Sequence, residues 1–175
     1  ARRFFRIAEL KDEQHRLIAR AISKESLLGI LPTGFGKSLI FQLLSLLSLR
    51  TSLVISPLRS LMRDQLYNLR KSGITCVEAI FGEDSSDKKD NITEAFSRRQ
   101  YRMLYISPER FLQRDFSIKI RKSLHDSPVG YFVIDEAHCI SEWGHDFRPA
   151  YMQIPIIRRM INNASQRHVP VLALT

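Results

Sequence analysis

Cysteine is scarce in this sequence. Its two residues, Cys76 and Cys139, lie far apart and match no metal-binding spacing, so they read as reduced structural or buried thiols of a cytosolic protein. Long hydrophobic runs are also missing. The longest candidate, Leu39 to Leu49, is interrupted by Gln42, Ser45 and Ser48. It falls short of the roughly 20 apolar residues that a membrane-spanning helix requires, and no membrane partner is expected. No secretory leader is visible, nor any repeat or low-complexity segment. The expected location is cytoplasmic, or nuclear if the source is eukaryotic. Acidic residues are outnumbered, 18 against 27 Lys and Arg, giving a formal net charge of +9. Such an excess favours a polyanionic partner, most simply nucleic acid. The sequence lacks an initial Met and stops in the apolar run Val169–Leu174, which reads as a strand cut at its end. The expectation is a single domain over residues 1–175 taken from a longer protein.

What the chain does carry is a glycine turn between two regular segments. Leu31-Pro32-Thr33-Gly34-Phe35-Gly36-Lys37-Ser38 follows the apolar run from Leu27 and precedes an amphipathic run beginning at Ser38. The order reads strand, turn, helix. The glycines let several backbone N–H groups converge on one concavity, and the helix N-terminus adds unpaired N–H groups and partial positive charge. Lys37 supplies a full charge, and the Ser38 hydroxyl suits Mg²⁺. This is the pattern of a triphosphate cradle, although Leu31 stands where the strict G-x-x-x-x-G-K-S pattern has its first glycine. By itself the loop could also be a glycine-rich turn with one exposed lysine.

A second motif lies far downstream. Asp135-Glu136-Ala137-His138 follows Tyr131-Phe132-Val133-Ile134, a β-branched and aromatic run that predicts a buried strand. Adjacent carboxylates at a strand end rarely serve packing, because an unpaired buried carboxylate is costly. Beside a phosphate loop they have a use. Asp135 can hold Mg²⁺, directly or through water, and Glu136 can orient and deprotonate the water that attacks a γ-phosphate. His138 can link the nucleotide to something beyond it.

The rest of the pattern alternates. Strands are predicted at Leu27–Leu31, Ser52–Ser56, Ile74–Phe81, Arg102–Ser107, Gly130–Asp135 and Val169–Leu174. A first helix presents Leu10, Gln14, Leu17, Ile18, Ala21 and Ile22 on one face, and a second runs Lys37–Leu49. A third begins after Pro57 and ends near Gly73. Gly82–Asp90 reads as a solvated loop leading into a helix that ends at about Arg98. Further helices are expected from Pro108, over Ser117–His125 and over Ala150–Asn162. Strands alternating with helices predict an α/β fold, a parallel sheet with helices on both faces and ligand sites at the strands' carboxyl ends.

Two elements share a design. Ile55-Ser56-Pro57-Leu58-Arg59 and Tyr105-Ile106-Ser107-Pro108-Glu109-Arg110 both run strand, Ser, Pro, helix. A hydroxyl and free N–H groups at a helix N-terminus suit a nucleic-acid phosphate, and proline in a first turn is also ordinary capping chemistry. The segment after the acidic motif, Cys139 to Pro149, is too polar and glycine-punctuated for a long helix. In it the single tryptophan, Trp143, is flanked by His145, Phe147 and Arg148. Such a loop can stack on bases and clamp a phosphate, or its aromatics can be satellite core residues.

Together these stretches resemble a RecQ-family DNA helicase of helicase superfamily 2. The resemblance is carried by Leu31–Ser38 with Phe41-Gln42, by SPLRSLMRDQ at Ser56–Gln65, by LYISPER at Leu104–Arg110, and by DEAHCISEWGHDFRPAY at Asp135–Tyr151. It spans about Leu10 to Thr175, where Ala173-Leu174-Thr175 is similar to the opening of the family's motif III.

The resemblance implies a RecA-like P-loop NTPase domain that uses ATP and Mg²⁺. Lys37 would contact the β- and γ-phosphates within the loop Pro32, Thr33, Gly34, Phe35, Gly36, Lys37 and Ser38. Ser38 and Asp135 would hold the metal, and Glu136 would activate water. Gln14, with Lys11 before it, takes the place of the family's adenine-reading glutamine. DNA would meet Ser56, Pro57, Arg59, Ser107 and Arg110, and the aromatic-rich loop with Trp143, His145, Phe147 and Arg148. The implied partners are single-stranded or partly duplex DNA and a second RecA-like lobe. Without that lobe the fragment would hydrolyse ATP barely at all.

The sequence departs from the family at Leu10-Lys11, which replaces Phe-Arg, and at Ile7, where an aromatic would stack on adenine. Phe35 replaces the middle glycine of the loop, and Arg59 an apolar residue. The alternatives are a translocase that does not separate strands and a non-catalytic nucleic-acid-binding module on the same scaffold.

Overall fold

The computed structural model describes residues 5, 7–140 and 149–175. Six short strands form one sheet: β1 (Leu27–Gly29), β2 (Ser52–Ile55), β3 (Val77–Ile80), β4 (Met103–Ile106), β5 (Tyr131–Asp135) and β6 (Val171–Leu174). Their order is β1-β6-β5-β2-β4-β3, and every neighbouring pair is parallel. The helices between them are α1 (Asp12–Ile22), α2 (Lys37–Leu47), α3 (Arg59–Lys71), α4 (Ser86–Ser97), α5 (Pro108–Leu112), α6 (Arg114–Asp126) and α7 (Ile154–Ser165). Two 3₁₀ turns, Ala137–Ile140 and Pro149–Gln153, flank the aromatic loop. Residues 141–148 of that loop, and with them Trp143, His145, Phe147 and Arg148, lie outside the described residues.

The alternation of side chains along each strand divides the core into two layers. Leu53, Ile55, Leu104, Ile106, Phe132 and Ile134 pack with Phe96 of α4, Phe116 and Ile120 of α6, and Ile157 and Ile161 of α7. On the opposite face Val54, Met103, Tyr105 and Val133 meet Ile18 of α1, Phe41 and Leu44 of α2, and Met62, Leu66 and Leu69 of α3. The expected parallel sheet with helices on both faces is what the chain forms. Because both faces are covered, β2, β4 and β5 are buried at every position, which is why Leu53–Ile55, Met103–Ile106 and Tyr131–Ile134 read as unbroken apolar runs.

Several boundaries differ from the sequence expectation. Helix α4 starts inside the stretch read as a loop, because Ser85 Oγ accepts the Lys88 N–H at 3.2 Å and caps it. Strand β3 begins three residues later than expected, at Val77, and α6 three residues earlier, at Arg114. Ile22, expected on the buried face of α1, stands at the helix end and is 55% exposed. Among the described residues no helix is long and apolar enough to cross a membrane.

Candidate nucleotide site

The carboxyl ends of β1, β6 and β5 lie side by side. Past the formal strand ends the pairing continues: Thr175 N–H donates to Gly29 O at 2.9 Å, and Leu31 N–H to Thr175 O at 2.7 Å. The glycine turn therefore leaves the sheet next to Thr175. Gly34 has φ +74° and Gly36 φ +89°, left-handed conformations that glycine adopts without Cβ strain. Gly36 is the residue from which α2 starts, so the N–H groups of the first turn, at Lys37 and Ser38, have no intrahelical acceptor.

Two residues of α1 and its N-cap brace this turn. The Gln14 side chain, 3% exposed, donates from Nε2 to Phe35 O at 2.9 Å and to Gly36 O at 3.4 Å, and its Oε1 accepts the Lys11 N–H at 3.0 Å. Lys11 Nζ sits 4.1 Å above the Phe35 ring centroid. Both ends of the Gln14 amide are thus engaged within the protein, and reading an adenine edge would require these bonds to be exchanged.

The acidic motif faces the turn. Asp135 ends β5 and is 2% exposed, and Glu136 follows it with φ +51°, a left-handed conformation rarely taken by a residue with a side chain. That turn brings Glu136 Oε2 to 3.7 Å from Lys37 Nζ and 3.4 Å from His138 Nδ1. His138 Nδ1 is also 2.6 Å from Thr175 Oγ1. Lys37, Ser38, Glu136, His138 and Thr175 line one cleft of about 690 Å³ together with Thr33, Gly34 and Gly36. Burial, and then the neighbouring Glu136 charge, push the Asp135 carboxyl up to about 6. Against these act a hydrogen bond from Gln65 Nε2 to Asp135 Oδ2 at 3.1 Å, the Glu136 N–H and Lys37.

The site suits a triphosphate with a divalent cation. A Cβ on Gly34 would meet nothing within 4 Å, so the turn is open on that side. Among the described residues no cluster of three or more His, Cys, Asp or Glu could cage a metal. Magnesium does not require one, since it is commonly held by one or two protein groups plus phosphate oxygens and water.

The two Ser-Pro elements differ. Ser107 Oγ accepts the Arg110 N–H at 3.3 Å and caps α5. Ser56 caps nothing: α3 starts from Leu58, and the Ser56 hydroxyl is fully buried without a hydrogen-bond partner among the described residues. Pro57 is buried as well. The side chains of Ser56 and Pro57, where DNA contact was expected, are thus both buried. Arg59 is exposed and pairs with Glu83 at 3.1 Å. Arg110 packs over the Phe116 ring, 4.8 Å from its centroid, and bonds Gln113.

Residues that sequence reasoning passed over also shape the site. Gln65 of α3 touches Asp135, and Tyr105 of β4 donates to Gln65 Oε1 at 2.9 Å. Tyr151 donates to the Asp135 carbonyl at 3.0 Å, and Thr175 bonds His138. One signal for Gln65 was available: it falls among Met62, Leu66 and Leu69 on the buried face of α3, where a polar side chain needs a partner.

A family profile described as DEAD/DEAH box helicase matches residues 11–175. The chain belongs to the DEAD/DEAH box helicase family. It is 40% identical over 172 residues to a probable ATP-dependent DNA helicase RecS of Bacillus subtilis, covering 98% of this chain and 32% of that protein. It is 38% identical to an ATP-dependent DNA helicase RecQ of Haemophilus influenzae, with 93% of this chain and 25% of the relative covered. A helicase Q-like 4B of Arabidopsis thaliana is 36% identical over 94% of the chain and 14% of its own length. The chain thus spans about a third or less of these curated relatives.

Among solved structures, the DUF1998 helicase MrfA superposes with a TM-score of 0.76 at 21% identity, over 97% of this chain and 27% of that one. The Hef helicase domain of Pyrococcus furiosus gives 0.68 at 22%, over 95% and 32%. These structural likenesses bear on the fold. The family resemblance carried by the motifs is borne out, and the α/β architecture is that of a DEAD/DEAH helicase domain.

Proposed function

We propose that the chain is the ATP-binding motor lobe of a RecQ-like DNA helicase, coupling ATP hydrolysis to 3′-to-5′ movement along one strand and separation of a duplex. The observation that most supports this is the meeting of Lys37 and Glu136 at 3.7 Å across one cleft at the sheet's carboxyl edge. Lys37 and the free amides of the turn bind and orient the phosphates. Ser38 and Asp135 would hold Mg²⁺, which when bound neutralises phosphate charge. Glu136 receives a proton from the attacking water, and its left-handed backbone aims it at the cleft. His138 and Thr175 form a polar link from Glu136 toward the end of β6. Lys11 and Gln14 hold the turn in shape and lie where an adenine would be read.

DNA would meet Arg59, Ser107 and Arg110, and also Trp143, His145, Phe147 and Arg148 of the aromatic loop. The motor would require a second lobe of the same parent, whose arginine finger contributes on the order of 10³ to 10⁵ in rate. The chain alone is accordingly a weak nucleotide binder with little turnover, in a cytoplasmic setting.

The test is Glu136→Gln in the protein that carries both lobes. DNA-stimulated ATP turnover should fall by about 10² to 10⁴ with nucleotide affinity unchanged. Turnover that survives the substitution refutes the assignment of Glu136. Strong unwinding by the 175-residue chain alone refutes the need for a second lobe.

A further inference from the structure

A run of buried polar contacts outside the cleft lining leads from α3 through the core to the acidic motif. Gln65, 7% exposed, donates from Nε2 to Asp135 Oδ2 at 3.1 Å. Its Oε1 accepts the Tyr105 hydroxyl at 2.9 Å, and Gln42 Nε2 lies 3.5 Å away. Tyr105 is fully buried, and its phenol is held neutral by that burial. The chemistry dictates the direction of the chain of bonds. A carboxylate can only accept, so the amide must present its nitrogen to Asp135. Two donors then converge on the amide oxygen and prevent the group from turning over. An amide turned the other way would set oxygen against carboxylate in a buried space of low dielectric.

We propose that Gln65 is a positioning residue for Asp135 and that Tyr105 keeps it so by fixing the orientation of its amide. This rests on the reading of Asp135 as a metal ligand given above. Two side chains hold Asp135: Gln65 bonds the carboxylate and Tyr151 the main-chain carbonyl. Gln65 is the one of these carried on a helix that packs across the opposite core layer. A displacement of α3 by a single residue's rise, about 1.5 Å, would break its bond to Asp135. The position of α3, which begins at Arg59, is therefore felt at the carboxylate.

The experiment compares wild type, Gln65→Leu, Tyr105→Phe and the double variant, using Mn²⁺ as the probe. Binding of Mn²⁺ with a non-hydrolysable ATP analogue is followed by electron paramagnetic resonance, and binding of the analogue alone is measured in chelator. Gln65→Leu should weaken Mn²⁺ binding by about tenfold or more, as loss of a ligand-orienting partner does, and leave metal-free analogue binding unchanged. Tyr105→Phe removes one oxygen and should show a smaller loss of the same kind, which disappears in the Gln65→Leu background. In the unloaded chain the Gln65 side-chain amide protons should exchange slowly with solvent, and faster in Tyr105→Phe.

Equal losses with and without metal would reduce Gln65 to a packing role and overturn the proposal. So would additive effects of the two substitutions, or rapid amide exchange in wild type. Wild type that binds the analogue with no gain from Mn²⁺ would instead sink the metal-ligand reading of Asp135, and the positioning role with it.

Discussion

Replacing Asp135 by Asn should make the nucleotide-free chain more stable at alkaline pH. In the folded chain burial, then the Glu136 charge, raise the Asp135 carboxyl from an ordinary 3.8 to about 6. A raised carboxyl favours folding where it is protonated. Its contribution is full below 3.8 and is lost as the pH rises through about 6. The gap between those two values corresponds to about 3 kcal/mol at 1.36 kcal/mol per unit. An asparagine carries no charge to desolvate. Its single oxygen can keep the Gln65 bond, while the favourable influence of the Glu136 main chain on the second oxygen is lost at about 1 kcal/mol. A net gain of about 2 kcal/mol remains, or about 4 to 8 °C in Tm for a chain of this size. Thermal unfolding followed by circular dichroism, in chelator and without nucleotide, checks this at about pH 8 and about pH 4. The advantage should be present at the higher pH and absent at the lower, where the aspartic acid is also neutral. An Asn variant that is less stable at pH 8, or equally advantaged at both, would refute the placement of an ionised, poorly solvated carboxylate at this strand end.

Gly36→Ala should cost about 2 kcal/mol in the same melts, since it sets a Cβ 2.8 Å from Gln14 Nε2 as well as straining φ +89°. Gly34→Ala has open space around it and should cost about 1 kcal/mol, from its φ of +74° alone; equal losses would show that Gln14 does not brace the turn. Glu83 holds Arg59 at 3.1 Å and Arg63 at 2.6 Å, so Glu83→Gln should tighten binding of a fluorescent single strand and steepen its salt dependence. Unchanged affinity would place the nucleic acid away from this end of α3.

The architecture was legible because each central strand is enclosed on both sides and each helix keeps one apolar stripe. Buried runs such as Ser52–Ile55 and Tyr131–Asp135 leave no ambiguity of face, and Pro57 and Pro108 punctuate the helix starts. The phosphate turn and acidic motif could be read for a related reason: their chemistry is concentrated in contiguous residues. What escaped was assembled across the chain. Gln65, Tyr105, Tyr151 and Thr175 are ordinary residues in ordinary elements until the sheet order places β4, β5 and β6 around Asp135 and His138. Ser85 was missed as a cap because the charges around it read as a solvated loop. The two Ser-Pro elements look alike in sequence and diverge in depth, and depth is set by which neighbours cover a strand end. Burial hides Ser56 and leaves Ser107 to cap.

Strands β1 and β6, far apart in the sequence, are partners. Leu27 sits opposite Leu172, and the Ser26 hydroxyl accepts the Val171 N–H at 3.1 Å across 145 positions. During synthesis β1 therefore gains this sheet partner only after β6 has emerged from the ribosome and inserted beside β5. Thr175, which ties the glycine turn to His138, arrives with it. Ligand-binding competence therefore waits on β6, while the two hydrophobic layers can begin to close before it.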